Sequence, residues 1–184
     1  MNGSLPTAGA ATTVPDAAAA TGDQRLLRTV FGTFATGVTV LTVGGRVPHG
    51  MTANSFASVS LAPPLVLVCV DRDATMHDSL LAVGTFAISV LGGDQEDVAR
   101  HFANRWRPTG LAQFDPVEWV PGGRTGAPLI ASAMAWLECG LWRAYDGGDH
   151  SIFLGRLLSI RRQDPQEALL FFGGKFHRLP KGAK

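Results

Sequence analysis

The chain has 184 residues, 46% of them hydrophobic, and its 16 Lys and Arg nearly cancel its 15 Asp and Glu. That length supports one sizeable core and is short for two domains. The absence of a basic block argues against binding a nucleic-acid backbone or an anionic membrane through bulk charge, and no apolar run reaches bilayer-spanning length. Small molecules or other proteins are left as partners.

Residues 1–22 are rich in Ala, Thr, Gly and Pro and lack apolar periodicity, so they cannot bury enough surface to offset ordering, and a disordered tail is expected. The first basic residue is Arg25 and the Ala17 to Ala20 run is too short for a signal-peptide core, so a cytoplasmic protein is expected. Residues 23–184 are expected to form one domain. Asp23 is placed to cap a helix with Leu26, Leu27, Val30, Phe31 and Phe34 on one core-facing side, ended by Gly37. Val38 to Val43, Gly44-Gly45 and Val47 to Phe56 read as a strand, a tight turn and its antiparallel return.

The return strand delivers the stretch His49-Gly50-Met51-Thr52-Ala53-Asn54-Ser55-Phe56, followed by Ser58 and Ser60 and the apolar run Leu65 to Val70. Small residues and hydrogen-bonding groups stand directly before a strand expected to be buried on both faces. A planar, heteroatom-rich ligand can approach such a backbone closely. The competing reading is a half-buried hairpin strand whose Thr and Asn face water. Asp71 to Ser79 is a polar turn entering a short helix with Leu80 and Leu81 inward. Its open N–H groups with Arg72, Thr75 and Ser79 suit an anion, and an ordinary capped helix explains the same residues.

Phe86 to Leu91 reads as a strand and Asp94 to Phe102 as a helix with Val98, Ala99 and Phe102 inward. Arg100, His101, Arg105 and Arg107 could contact a phosphate, but cations near a helix C-terminus also suit the macrodipole, which is the default. Ala103 to Pro128, dense in Pro and Gly, reads as a long connection and a candidate lid, with at most a short strand near Val117 to Val120. Leu129 to Tyr145 and Ser151 to Ile160 are two long antiparallel strands joined through Asp146-Gly147-Gly148-Asp149-His150, and Leu169 to Phe172 and Lys175 to Leu179 finish the sheet. Strand follows strand with few helices, so the expected fold is mainly β, an antiparallel barrel with peripheral helices. Cys69 and Cys139 lack metal or redox spacing and should pack as small buried hydrophobes in a reducing compartment. No hydrolase elbow, zinc-binding HExxH or Rossmann glycine pattern occurs.

Phe34 to Val40, Gly50 to Phe56, Ser58 to Leu61, Pro63 to Val66 and Gly148-Asp149-His150 fall in the order and spacing of the flavin reductase family, the small components that supply reduced flavin to two-component monooxygenases. The resemblance spans about Leu26 to Leu179. It implies an FMN-binding split β-barrel, a homodimer, and hydride transfer from NADH, less readily NADPH, to FAD or FMN. It also implies a flavin cradle at Met51, Thr52, Ala53, Asn54, Ser55, Ser58, Val59, Ser60, Cys69 and Asp71, with the flavin phosphate near Arg72, Thr75 and Ser79. His150, oriented by Asp149, would lie on the nicotinamide side, with closure of the hairpin as the alternative role, and Phe176 would wall the same pocket. Relatives commonly carry Asn at the position of Ser89, Arg at Gly173 or Lys175, and Tyr at Phe176, so the C-terminal contacts depart from the pattern. No residue is needed as acid or base, because hydride transfer uses chemistry already in the cofactors. A pyridoxamine-phosphate-oxidase-like enzyme and a non-catalytic flavin carrier are the rival readings on this barrel.

Overall fold

A computed structural model describes residues 22–163, 167–180 and 182. The expected N-terminal tail, apart from Gly22, lies outside the described residues. Helix α1 (Gln24–Phe31) is capped as its sequence requires, the Asp23 carboxylate accepting from Arg25 N at 2.9 Å and Leu26 N at 3.1 Å. It ends at Gly32, five residues before the expected stop, and Gly37 instead belongs to strand β1 (Thr36–Gly37). Its apolar side is not core: Val30, Phe31 and Phe34 are 53%, 69% and 76% exposed.

Seven antiparallel strands form the main sheet in the order β3-β2-β6-β9-β10-β5-β4. They are β2 (Thr39–Val43), β3 (His49–Ala53), β4 (Ala57–Leu61), β5 (Pro64–Asp71), β6 (Thr85–Val90), β9 (Ala135–Gly147) and β10 (His150–Arg162). The two outermost strands, β3 and β4, are consecutive in sequence. Ala53 and Ala57 are joined by at most about 14 Å of extended chain, whereas a flat seven-stranded sheet would part its edges by about 29 Å. The sheet therefore curls into a barrel split along the β3/β4 seam. Inside it, Leu41, Val66, Val68, Val70, Met76, Leu80, Phe86, Ile88 and Phe153 are buried together. Gly155 is required where β10 crosses Phe86, because a Cβ there would run into the aromatic ring and stand 3.0 Å from Cys139 Cβ.

Four expectations need correction. β5 is fully buried on one face and only in part on the other: Val66, Val68 and Val70 point inward, while opposite them Leu65 is buried but Leu67 and Cys69 are half-buried. In helix α2 (Thr75–Val83), Met76 rather than Leu81 joins Leu80 in the core, and Leu81 is exposed. The strand expected from Leu129 is two strands, since a turn with Ser132 at φ 58° separates β8 (Pro128–Ile130) from β9. β11 (Ala168–Phe172) and β12 (Lys175–Leu179) do not finish the main sheet but form a three-stranded sheet with β1.

A second core links this small sheet to helix α3 (Glu96–Ala103) through Val38, Leu91, Ala99, Phe102, Phe114 and Leu169. The long connection after α3 is anchored here. Its 3₁₀ turn (Gly110–Phe114) buries Gln113 and Phe114 completely or nearly so, and β7 (Trp119–Pro121) pairs with β8. Its centre is therefore part of the core rather than a lid.

Candidate active site

Where β3, the end of β5, the start of α2 and the end of α3 converge, they leave a cleft of about 370 Å³. Met51, Thr52 and His49 supply one wall, Asp71, Asp73, Ala74 and Thr75 a second, and Phe102, Ala103, Arg105, Arg107, Pro108 and Thr109 the third. Close packing behind β3 sets its depth. Gly50 lies against α3 so tightly that a Cβ would stand 2.7 Å from Phe102 Cε1. The Thr52 hydroxyl donates to Ala99 O at 2.7 Å, which fixes β3 to α3.

The third wall is held by a network that sequence reasoning did not assign. Buried Gln113 accepts from Gly50 N at 2.8 Å and donates to Pro48 O at 2.9 Å and Gly110 O at 2.7 Å. Arg107 donates to Asn104 O at 2.6 Å, to the Gly50 carbonyl, and to Gln113 Oε1 at 3.4 Å, with His49 Nε2 3.3 Å away. Burial and the neighbouring Arg107 charge push the His49 imidazole down to about 4, so it is neutral near pH 7 and the arginines carry the positive charge on this wall. The macrodipole reading of Arg107 is thus replaced by a specific tether. Charge and helix position mark such a residue in sequence, but nothing local marks Gln113.

At the second wall, Ala74 takes the N-cap position of α2 and provides no side-chain acceptor; His77 N donates to Ala74 O at 2.8 Å, and the N–H groups of Thr75 and Met76 are left without a side-chain cap beside the cleft. Thr75 lines it. Ser79 is one turn on, its hydroxyl donating to Thr75 O at 2.8 Å. Arg72 turns the other way, pairing with Asp146 at 2.9 Å and donating from Nε to His150 O at 3.4 Å.

The cradle residues are gathered around the seam, but several side chains are occupied structurally. Asn54 Nδ2 donates to Thr36 Oγ1 at 3.2 Å, and Ser55 bonds the backbone of half-buried Cys69, whose thiol burial pushes up. Ala53 is buried, while Ser58 and Val59 on β4 are exposed and Ser60 is half-buried. His150 faces Asp71 directly in the β5/β10 ladder, which sets it beside the cleft. Its Nδ1 is 2.7 Å from Asp149 Oδ1, and that hydrogen bond and the imidazole charge hold the Asp149 carboxyl below the usual carboxylate range. Phe176 lies elsewhere, packed edge-on to Phe171 and beneath Arg100 at 5.0 Å, and does not line the cleft.

A smaller cavity of about 250 Å³ lies between β7, β9 and β10, bordered by Trp136, Glu138 and Arg161. Glu138 Oε2 there accepts from Arg124 N, Thr125 N and Thr125 Oγ1 at 2.8, 2.8 and 2.9 Å, which organises the turn before β8.

The fold is a split antiparallel barrel with a mixed apolar and polar cleft that ends at a helix start without a side-chain cap, the class of scaffold that suits a phosphate-bearing ring cofactor. Residues 31–180 match the flavin reductase like domain. The chain belongs to the flavin reductase family. It is 58% identical over 161 residues to an NADH-dependent FAD reductase of Streptomyces globisporus, covering 88% of each protein. Among solved structures, it is similar to the flavin reductase component of a bacterial two-component tryptophan halogenase (TM-score 0.85, 61% identity, 87% of this chain and 100% of that one). It is also similar to the Streptomyces globisporus C-1027 NADH:FAD oxidoreductase in complex with NAD and FAD fragments (TM-score 0.83, 56% identity, 89% of this chain and 96% of that one).

Proposed function

We propose that the protein is an NADH-dependent flavin reductase that reduces FAD, and FMN less well, and releases the reduced flavin to a separate flavin-dependent oxygenase or halogenase. The observation that carries this reading is the cleft: it joins Met51 and Thr52 of the cradle stretch to a helix start without a side-chain cap, with His150 opposite Asp71 beside it. Those residues fit a flavin. Met51 and Phe102 offer apolar contact for a ring system, the β3 backbone offers polar groups to its edge, and the α2 N–H groups suit its phosphate.

Bound flavin and nicotinamide supply the hydride acceptor and donor themselves. The chain's contribution is position and environment. Gly50 and the tether of Arg107 and Gln113 hold β3 in place, and the third wall limits water. The neutral His49 leaves positive charge to Arg105 and Arg107, favourable to phosphates. His150, oriented by Asp149, borders the open side, where it can contact the nicotinamide.

The exposed row of Val30, Phe31 and Phe34 on and after α1 supports a homodimer, since such a face is normally covered. Among the described residues no helix is long and apolar enough to cross a membrane. The test is NADH and NADPH consumption, followed by nicotinamide absorbance, without flavin and then with FAD or FMN. Turnover of many equivalents of added flavin is expected, with NADH preferred. Flavin binding with no nicotinamide oxidation would overturn the reading.

A further inference from the structure

We infer that Arg72 and His77 are positioning residues for hydride transfer: from outside the cleft they tie the start of α2 to the hairpin that carries His150, an inference that rests on the flavin-reductase reading above. Transfer needs the nicotinamide held against the flavin at close range, so the element that seats the flavin phosphate and the one that borders the nicotinamide have to keep a fixed separation. The two come from distant parts of the chain. α2 begins at Thr75, whereas His150 opens β10.

The tip of that hairpin has thin support from the sheet. From Trp142 on, β9 pairs with β10 alone among the described residues, and Gly147-Gly148 turns the chain at the end, with Gly148 at φ 82°. Contacts from the β5–α2 turn and from α2 close on it around His150. Arg72 N donates to Asp149 O at 3.0 Å and Arg72 Nε to His150 O at 3.4 Å. Arg72 Nη2 pairs with Asp146 Oδ1 at 2.9 Å, the same oxygen that accepts from Gly148 N at 2.9 Å and shapes the turn. One residue past His150, Ser151 Oγ is hydrogen-bonded to His77 Nε2 at 2.9 Å, and the His77 ring stands edge-on to Phe153 with centroids 5.2 Å apart. Residues 146, 149, 150 and 151 are thus all held by Arg72 or His77. Neither of these two lines the cleft.

Ser151, His77 and Asp78 stand in the order of a hydrolytic triad, but such a triad needs a reachable hydroxyl and a fixed carboxylate. Ser151 is buried, and Asp78 lies 3.5 Å from Nδ1 with its side chain 91% exposed. The Arg72–Asp146 pair is not a stability device either. At 45% and 82% side-chain exposure it adds little to folding, so its effect is on where the hairpin stands.

The experiment measures NADH oxidation at saturating flavin, and flavin Kd by fluorescence titration, for the full chain and for Arg72→Ala, Arg72→Lys, His77→Phe and His77→Gln, each alone and combined with His150→Ala, with circular dichroism to check folding. Arg72→Ala and His77→Phe should raise KM for NADH roughly fivefold and leave flavin Kd within about twofold, and Arg72→Ala should leave Tm unchanged. Arg72→Lys and His77→Gln, which keep a hydrogen-bonding group at similar reach, should recover most of the loss. With His150→Ala already present, the same substitutions should change KM by less than about twofold, because the group they position is gone. An equal effect with and without His150, an unchanged KM in Arg72→Ala, or a raised flavin Kd, which would make Arg72 a phosphate contact, would overturn the inference. The unmodified protein separates the two levels. If it oxidises no NADH with either flavin, the reductase reading falls and the inference with it, whereas an active protein with additive variants leaves that reading standing and removes the inference alone.

Discussion

The hydroxyl of Ser55 accepts from Cys69 N at 3.1 Å and donates to Cys69 O at 2.8 Å. The β4/β5 ladder stops at the pair Ala57 and Leu67, so Ser55 stands where the next β4 residue would pair, and one side chain replaces a rung of backbone. Ser55→Ala strands both groups at a half-buried position. Its expected cost is about 1–3 kcal/mol in chemical denaturation, with little loss in Ser55→Thr. An undiminished midpoint in the alanine variant would show that water satisfies these groups.

The depressed His49 pKa makes a prediction about acid stability. In the fold the imidazole titrates at about 4, and in the unfolded chain near 6.5. Between those values the unfolded state takes up a proton that the native state refuses, so stability falls as pH drops from 6.5 toward 4. Carboxylates titrate in part of the same window, so the comparison has to be made with His49→Gln. Wild-type Tm should fall more steeply than that of the variant across this interval. Parallel curves would mean that the ring is protonated in the native protein.

His150→Ala should lower kcat/KM for NADH roughly tenfold, about 1.4 kcal/mol, while flavin affinity stays nearly intact. Asp149→Asn, which weakens the 2.7 Å contact to Nδ1, should give a smaller loss in the same direction. Loss of flavin binding with the fold preserved would instead make the hairpin part of the flavin cradle.

Phe31 and Phe34 are 69% and 76% exposed at the end of the chain's first helix and just beyond it. Replacing either with Glu should shift the mass measured by light scattering from dimer to monomer, with unchanged circular dichroism. A dimer that persists in both variants would place the interface elsewhere.

Much of this architecture is legible in local pattern. The capped helix start at Asp23, the β2/β3 hairpin and the two long strands around His150 all follow from short-range turn and periodicity signals. The misreadings arise where distant partners decide. Periodicity marks Val30, Phe31 and Phe34 as one core-facing side of a helix, but the helix ends at Phe31 and all three side chains are left exposed. The apolar run of β5 does not reveal that Leu67 and Cys69 stay half-buried. The tether of Gln113 to Gly50 spans 63 residues and has no local signature. The stretch Met51 to Ser55 stands out in the sequence because its residues are contiguous, whereas the cleft's third wall is assembled from α3 and the loop behind it.

The strand order also dictates when the barrel can form during synthesis. β6 and β5 do not touch as sheet neighbours, because β9 and β10 lie between them and are made last among the seven strands. A nascent chain that has reached residue 130 therefore presents two unfinished pieces, β3-β2-β6 and β5-β4, each with an open edge. The β9–β10 hairpin bridges both at once, so cooperative closure waits for the emergence of residue 162.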